Sequence, residues 1–137
     1  CEVELPGGAA TVGSVHMQKA RFRTSRQRRD YAALSRTLEV LSGPVILAGD
    51  FNTTPLTAPY RMIASRLSNA FAEAGRGPGA SFPTPARPLL GLAGPFLAID
   101  HVFADTAFRA LDARVLAEHA PGADHFPVRA VLVRRQG

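Results

Sequence analysis

Short apolar runs, separated by polar and glycine-rich turns, divide the chain into secondary-structure elements. Residues 3–5 and 10–17 are apolar runs on either side of Pro6-Gly7-Gly8, which predicts a β-hairpin. A basic stretch follows, and an amphipathic helix is predicted over 25–42. That helix is indicated by apolar residues at helical spacing, namely Tyr31, Leu34, Leu38 and Leu41.

The second half of the chain predicts mainly strands. Residues 45–48 are wholly apolar and end at Gly49, which is typical of a strand buried on both faces. A second helix is predicted over 58–67, and further strands over 96–104, 111–116 and 128–133. The Gly- and Pro-rich stretch 75–95 predicts a long, irregular surface loop. This order indicates one α/β domain spanning 1–137.

Composition narrows the class of protein without deciding it. The chain has 137 residues and is 46% hydrophobic, which fits one small globular domain. Its single cysteine, Cys1, excludes an internal disulfide. The net charge is +5, and every basic residue except Lys19 is an arginine. Arginine suits planar contact with phosphate, although a general preference for arginine gives the same composition.

Polar residues follow the apolar strands at three places. Asp50 and Asn52 stand two positions apart, so in an extended segment they point the same way. The pair offers an acid that binds metal or orients water and an amide that donates to a phosphoryl oxygen. Asp100 and His125 are predicted to form a carboxylate–imidazole pair for acid/base chemistry. Asp124 adds a hard oxygen ligand suited to Mg²⁺ or Mn²⁺.

Each of these segments, taken alone, also fits an ordinary loop in which Asp and Asn bond their own backbone. His101 and His119 are interpreted as structural or exposed histidines for the same reason. Joint occurrence, with three acidic segments after three apolar strands, favours a functional site over three unrelated loops.

The same segments resemble the endonuclease/exonuclease/phosphatase superfamily. Gly49-Asp50-Phe51-Asn52 looks like its Gly-Asp-Phe-Asn motif, while Ile99-Asp100-His101-Val102 and Asp124-His125-Phe126-Pro127-Val128 are similar to its two later motifs. His16 falls where the family carries a strand-borne histidine. The resemblance covers about 11–134. It implies an α/β fold: half of a DNase I-like four-layer sandwich, with a mixed, mainly antiparallel sheet and helices on one face.

The resemblance also implies an activity, the hydrolysis of a phosphoester by in-line attack of an activated water, with Mg²⁺ or Mn²⁺ neutralising charge. Asp50 would orient or deprotonate the water and bind metal, and Asp124 would be a further metal ligand. Asn52 would contact the scissile phosphate. His125, held by Asp100, would bind phosphate and stabilise the transition state. His16 would be a second imidazole.

The family's N-terminal half supplies an Asn and a Glu metal ligand, and no stretch of this chain matches either. We therefore expect a C-terminal half that is poorly active or inactive alone. Its expected partners are the N-terminal half in cis or a second copy covering an exposed sheet face. The segment around Phe82-Pro83-Thr84-Pro85 resembles bacterial members, some with preceding transmembrane helices. They suggest an extracytoplasmic, membrane-tethered domain, and localisation is otherwise undetermined.

Two other classes of protein remain open at this stage. One is an inactive half-domain that binds phosphate or a protein partner through its basic face. The other is a DNA-binding protein that uses the stretch 19–29. Among substrates, nucleic acid, phosphoinositide and phospholipid are not separated by sequence, nor is a monoester from a diester.

Overall fold

A five-stranded mixed sheet forms the centre of the protein. The structure is a computed structural model and describes residues 1–19, 25–87, 89–118 and 122–135. The spatial order of the strands is β1-β2-β3-β5-β4. β2 and β3 are parallel, and the other neighbouring pairs are antiparallel. The strands are β1 (Glu2–Leu5), β2 (Gly8–His16), β3 (Val45–Asp50), β4 (Ser68–Asn69) and β5 (Asp100–Ala104).

Two helices, α1 (Ser25–Val40) and α2 (Ala58–Ala64), cover one face of this sheet. α2 begins after Thr57, whose hydroxyl accepts a hydrogen bond from the Tyr60 N–H. Large apolar side chains fill the space between helices and sheet, and three of them, Phe51, Ile63 and Phe103, are fully buried. Their burial supplies the main hydrophobic stabilisation of this layer.

A second, two-stranded sheet packs against the opposite face. It consists of β6 (Phe108–Val115) and β7 (Val128–Arg134), which pair antiparallel. The short helix α3 (Ala70–Ala74) packs beside it and is capped by the Asn69 side chain, which accepts from two backbone N–H groups. Small residues dominate this interface: Ala10, Ala70, Ala104, Ala110 and Ala113 are buried there with Phe108. Part of the sheet face away from α1 and α2 is thus covered within the chain.

The predicted mixed, mainly antiparallel sheet is confirmed, as are the first hairpin and the helices beginning near 25 and 58. β5 is shorter than the predicted strand over 96–104. β4 and α3 were not predicted, because two and five residues are too short for a periodicity. Within the described residues, no helix is long and apolar enough to cross a membrane.

The prediction of a surface loop over 75–95 is wrong for its middle part. Ser81, Pro83 and Thr84 are all buried there. The Ser81 N–H donates to the Leu97 carbonyl at 2.9 Å, and the Ser81 carbonyl accepts from the Phe126 N–H at 2.8 Å. Backbone hydrogen bonds of this kind let an irregular segment enter the interior without leaving polar groups unsatisfied.

Candidate active site

Strand register brings three of the predicted residues into one row. His16 is paired with Asp50 across β2 and β3, and Asp50 is paired with Asp100 across β3 and β5. Side chains alternate along a strand, so the next residue, His101, belongs to the opposite side of the sheet. The row therefore collects its acidic side chains at the end of the sheet, on the face away from α1 and α2.

Gly49 makes this row possible. Its φ is +142°, and a Cβ built there would lie 2.0 Å from the carbonyl oxygen of Val15. Any side chain would thus push β2 away from β3 just before Asp50. The glycine of the Gly-Asp-Phe-Asn segment is required by the close approach of these two strands.

Asn52 holds Asp50 in place. Its backbone N–H donates to Asp50 Oδ1 at 2.8 Å, and its side-chain amide donates to Asp50 Oδ2 at 2.8 Å and to the Met17 carbonyl at 2.7 Å. Asn52 sits in the left-handed region, with φ of 47°. Both amide hydrogens are thus used within the chain, and the predicted contact with a scissile phosphate stays a prediction.

The pKa of Asp50 is raised, chiefly by burial. The neighbouring Asp100 carboxylate adds to this rise, while the hydrogen bond from Asn52 opposes it. Proton affinity above that of an ordinary aspartate makes Asp50 a better base toward water.

Asp100 and His125 form the predicted pair. His125 Nδ1 and Asp100 Oδ2 are 2.8 Å apart, and both side chains are largely buried. Since the carboxylate can only accept, Nδ1 carries the proton and donates it, which leaves Nε2 for another partner. This part of the prediction is reproduced by the structure.

Ser81 is a residue of the site that sequence analysis missed. Its hydroxyl donates to Asp100 Oδ2 at 2.6 Å, and its side chain is fully buried. The Asp100 N–H in turn approaches Ser81 Oγ at 3.3 Å. A serine in a Gly- and Pro-rich stretch is typical of a turn, so no signal in the sequence marked it.

A group of ligand atoms suited to a divalent cation lies at this point. Atoms of Asp50, Asp100 and His125 all fall within 4.8 Å of one another, and among the described residues no other group of three does so. The two carboxylates suit Mg²⁺ or Mn²⁺, whereas an imidazole is more typical of Zn, Cu or Fe sites, and His125 Nδ1 already donates to Asp100. Mg²⁺ usually keeps several waters and binds substrate phosphates, so a short list of protein ligands is sufficient.

Asp124, the other predicted metal ligand, has a different partner. Arg87 donates to Asp124 Oδ2 from Nε at 3.0 Å and from Nη2 at a shorter distance. The hydrogen bond from Arg87 lowers the pKa of Asp124. Asp124 is not part of the group formed by Asp50, Asp100 and His125 within the described chain, so its role as a metal ligand stays a prediction.

The remaining histidines of the described chain differ in burial. His16 Nε2 lies 3.9 Å from Asp50 Oδ2 with its side chain 78% exposed, so it is near the site without being fixed there. His101 is buried, with Nε2 2.9 Å from the Thr53 carbonyl and Nδ1 3.2 Å from the Asn69 amide. Burial lowers the pKa of His101. Its structural interpretation is confirmed, and His119 lies outside the described residues.

A cavity of about 580 Å³ opens beside these groups. Asn52 and His125 line it together with two cations, Lys19 and Arg87, and no acidic side chain of the described chain does so. A second cavity of about 560 Å³ shares Asn52 with the first and carries Arg28 and Arg61. This lining suits an anionic ligand.

The chain combines a mixed sheet, a row of acidic residues at the end of that sheet and the Asp100–His125 pair. Comparison with known protein families identifies its class. The chain belongs to the endonuclease/exonuclease/phosphatase family, whose family model matches residues 8–125. The predicted superfamily and its DNase I-like fold are thereby confirmed.

Several solved structures are similar to the chain. An endonuclease/exonuclease/phosphatase from Beutenbergia cavernae is 27% identical, with a TM-score of 0.69 over 97% of this chain and 38% of that one. The 3′ phosphatase NExo from Neisseria, solved with a product DNA hairpin, is 18% identical, with a TM-score of 0.71 over 96% and 63%. A mannosyl-6-phosphatase from Bacteroides thetaiotaomicron is 20% identical, with a TM-score of 0.62 over 88% and 49%.

The chain spans 38%, 49% and 63% of the length of these three proteins, which is less than two thirds of each. No protein with a curated description matches it significantly.

Proposed function

We propose that this chain carries the acid/base and phosphate-binding part of a divalent-metal-dependent phosphoester hydrolase. The observation that supports this most strongly is the convergence of Asp50, Asp100 and His125 within 4.8 Å. His125 also lines a cavity with two cations and no acid among its described residues. Membership of a family named for nucleases and phosphatases agrees with hydrolysis at phosphorus.

Asp50 is the proposed base. It is held by two hydrogen bonds from Asn52, and its pKa is raised by burial and by Asp100. In this role Asp50 orients a water molecule and accepts its proton as the water attacks phosphorus. General base catalysis of this kind contributes roughly 10²- to 10⁴-fold to a rate.

His125 is the proposed phosphate ligand and acid. Its Nδ1 proton is held on Asp100, and Asp100 is held by Ser81. Nε2 is then the nitrogen available to a phosphoryl oxygen or a leaving group. A carboxylate behind an imidazole fixes its tautomer and stabilises its protonated form as charge develops.

A divalent cation held by Asp50 would polarise the phosphoryl group and neutralise its charge. Asp124, the other residue predicted to ligate the metal, is not included among the proposed ligands, because its Oδ2 accepts two hydrogen bonds from Arg87. Both roles for this cation belong to the proposal, as does the choice of Mg²⁺ over Mn²⁺.

The wider setting of the site is also proposed. The N-terminal half in cis would supply the Glu ligand, and a homodimer would be a second way to cover the sheet. An extracytoplasmic, membrane-tethered location is part of the same proposal. The rival function is a catalytically inactive half-domain that binds phosphate or a partner through Lys19, Arg87, Arg28 and Arg61.

The test is hydrolysis of a nitrophenyl phosphate monoester and of the corresponding diester. Each is assayed with Mg²⁺, with Mn²⁺ and with chelator, for the chain alone and for the chain extended by the upstream sequence of its gene. We expect metal-dependent release of nitrophenol by the extended protein and little by the chain alone. Phosphate binding without turnover in either form would favour the inactive half-domain instead.

A further inference from the structure

We propose that Arg87 is a phosphate-binding residue of this site and that Asp124 is the positioning residue that holds it. The inference rests on the proposed function, since it concerns the same cavity. It assigns to Asp124 a role different from metal ligation, and it assigns a specificity-determining role to an arginine that no catalytic motif contains.

The first support is the geometry of the ion pair. Arg87 donates from Nε and Nη2 to a single oxygen, Asp124 Oδ2. A guanidinium has five N–H donors in one plane, so these two bonds leave three for a ligand. The side chains are 43% and 40% exposed, so the pair is open to solvent and substrate. A planar, charge-assisted donor of this kind matches a phosphoryl group.

The second support is the anchoring of the loop that carries Arg87. Thr84 is buried, and its N–H donates to the Asp124 carbonyl at 3.1 Å while its hydroxyl bonds the Ala123 carbonyl. The Arg87 N–H closes a turn on the Thr84 carbonyl at 3.0 Å. The loop is therefore attached to the residues directly before His125. These hydrogen bonds tie the segment that carries Arg87 to the segment that carries His125.

The third support is location. Arg87 lines the cavity of about 580 Å³ together with His125 and Lys19. Exposed Arg–Asp pairs are common and usually stabilise a protein little. Arg114 and Asp112 form such a pair at 3.0 Å on β6, and Arg114 lines neither of the cavities described above. What distinguishes Arg87 is therefore its place in the cavity that His125 also lines, and not the ion pair as such.

The Asp124 contact also bears on the metal. To ligate a cation through Oδ2, Asp124 would have to release two hydrogen bonds from Arg87. Asp50, Asp100 and His125 already form a compact set of ligand atoms without it. The structure thus favours Asp124 as the partner of Arg87.

The experiment measures two bindings and one activity on the extended protein. Calorimetry gives the affinity for inorganic phosphate alone and for Mn²⁺ alone, and the diester assay gives kcat and KM. The variants are Arg87→Ala, Arg87→Lys, Asp124→Asn and Asp124→Glu, with Arg114→Ala as the matched control. Circular dichroism checks that each variant is folded.

We expect Arg87→Ala to weaken phosphate binding and raise KM by roughly 10- to 100-fold, the loss typical of a charge-assisted hydrogen bond. Arg87→Lys should recover part of this loss. Asp124→Asn should have a smaller effect in the same direction, and Asp124→Glu should recover it. Mn²⁺ affinity should stay at the wild-type level in all of them, and Arg114→Ala should change nothing.

Phosphate affinity unchanged in Arg87→Ala, or absent in the wild type, would overturn the inference. So would a fall in Mn²⁺ affinity in Asp124→Asn, because that result makes Asp124 a metal ligand. Arg87-dependent phosphate binding by a protein that hydrolyses nothing would support the inference and defeat the proposed function. The two proposals therefore fail separately.

Discussion

His101 and His125 lie on opposite sides of the same sheet end, and both are close to Asp100. His101 is directed among Phe51, Phe103 and Tyr60, where both of its ring nitrogens have partners within the core. His125 bonds Asp100 through Nδ1 and lines the cavity. Two identical side chains thus differ in environment: His101 is enclosed in the core, and His125 faces a ligand-sized space.

Strand alternation is the cause of this difference. Asp100 and His101 are consecutive in β5, so they point to opposite faces. Phe51 and Asp50 divide in the same way at the end of β3. One side of the row therefore faces the candidate site and the other faces the core, and substitutions on the two sides should separate activity from stability.

The largest effect is expected where both sides depend on one residue. Gly49→Ala places a Cβ 2.0 Å from the Val15 carbonyl oxygen, and the backbone there has a positive φ. We expect a loss of unfolding free energy above about 4 kcal/mol, measured by urea denaturation, together with loss of activity. Gly77→Ala is the control: its φ is +86° with nothing near the added Cβ, so it should cost only about 1–2 kcal/mol. Equal losses of unfolding free energy in the two variants would show that the close approach of β2 and β3 adds nothing to the cost of Gly49→Ala.

Asp50→Asn should lower activity without lowering stability. We expect kcat to fall by about 10²- to 10⁴-fold because the base is lost. Burial and Asp100 raise the pKa of Asp50, so ionising this carboxyl costs more free energy in the folded state than in the unfolded chain. The unfolding midpoint at pH 8 should therefore not fall. A fall in both quantities would mean that Asp50 is structural.

His101→Ala should mainly lower the free energy of unfolding. It removes a buried ring and leaves the Asn69 amide and the Thr53 carbonyl without their partner. We expect a loss of about 2–4 kcal/mol in unfolding free energy. His16→Ala, on a side chain that is 78% exposed, should stay within about 0.5 kcal/mol. Urea denaturation of the two variants measures these losses. Similar losses of unfolding free energy in both would contradict the argument from burial.

The smallest effect is a pH dependence of stability. Burial lowers the pKa of His101, so the folded state binds its proton less readily than the unfolded chain does. The resulting stability is present above the unfolded pKa of about 6.5 and is lost as pH falls toward the folded pKa. We expect the unfolding midpoint of the wild type to drop as the pH falls below about 6.5, and this part of the drop to be missing in His101→Ala. An identical slope in the variant would assign the drop to other groups.

The sequence predicts those elements and site residues that depend on periodicity and on local motifs. Asp50 and Asn52 are predicted together from an extended segment, and they are in contact; the contact arises differently, because Asn52 follows β3 in the left-handed region. The Asp100–His125 pair is predicted from residue type. A short apolar run predicts β3, and apolar residues at helical spacing predict α1. From the sequence, His101 is predicted only to be a structural or exposed histidine.

What the sequence does not predict depends on contacts between distant segments. Ser81 reaches Asp100 from an irregular stretch, and Arg87 reaches Asp124 across 37 residues of sequence. Neither contact has a periodic pattern or a local motif. The burial of Thr84 has the same origin, because its hydrogen bonds go to residues 123 and 124.

The most direct test of the site is a double-mutant cycle on Asp100 and His125 in the diester assay, measured as kcat/KM of the extended protein. The two side chains share one hydrogen bond of 2.8 Å and act in the proposal as a unit. We predict that Asp100→Asn and His125→Ala each lose about 10²- to 10⁴-fold, and that the double variant loses no more than His125→Ala alone. Losses that multiply in the double variant would mean that the two residues act independently, and would contradict the account of this site.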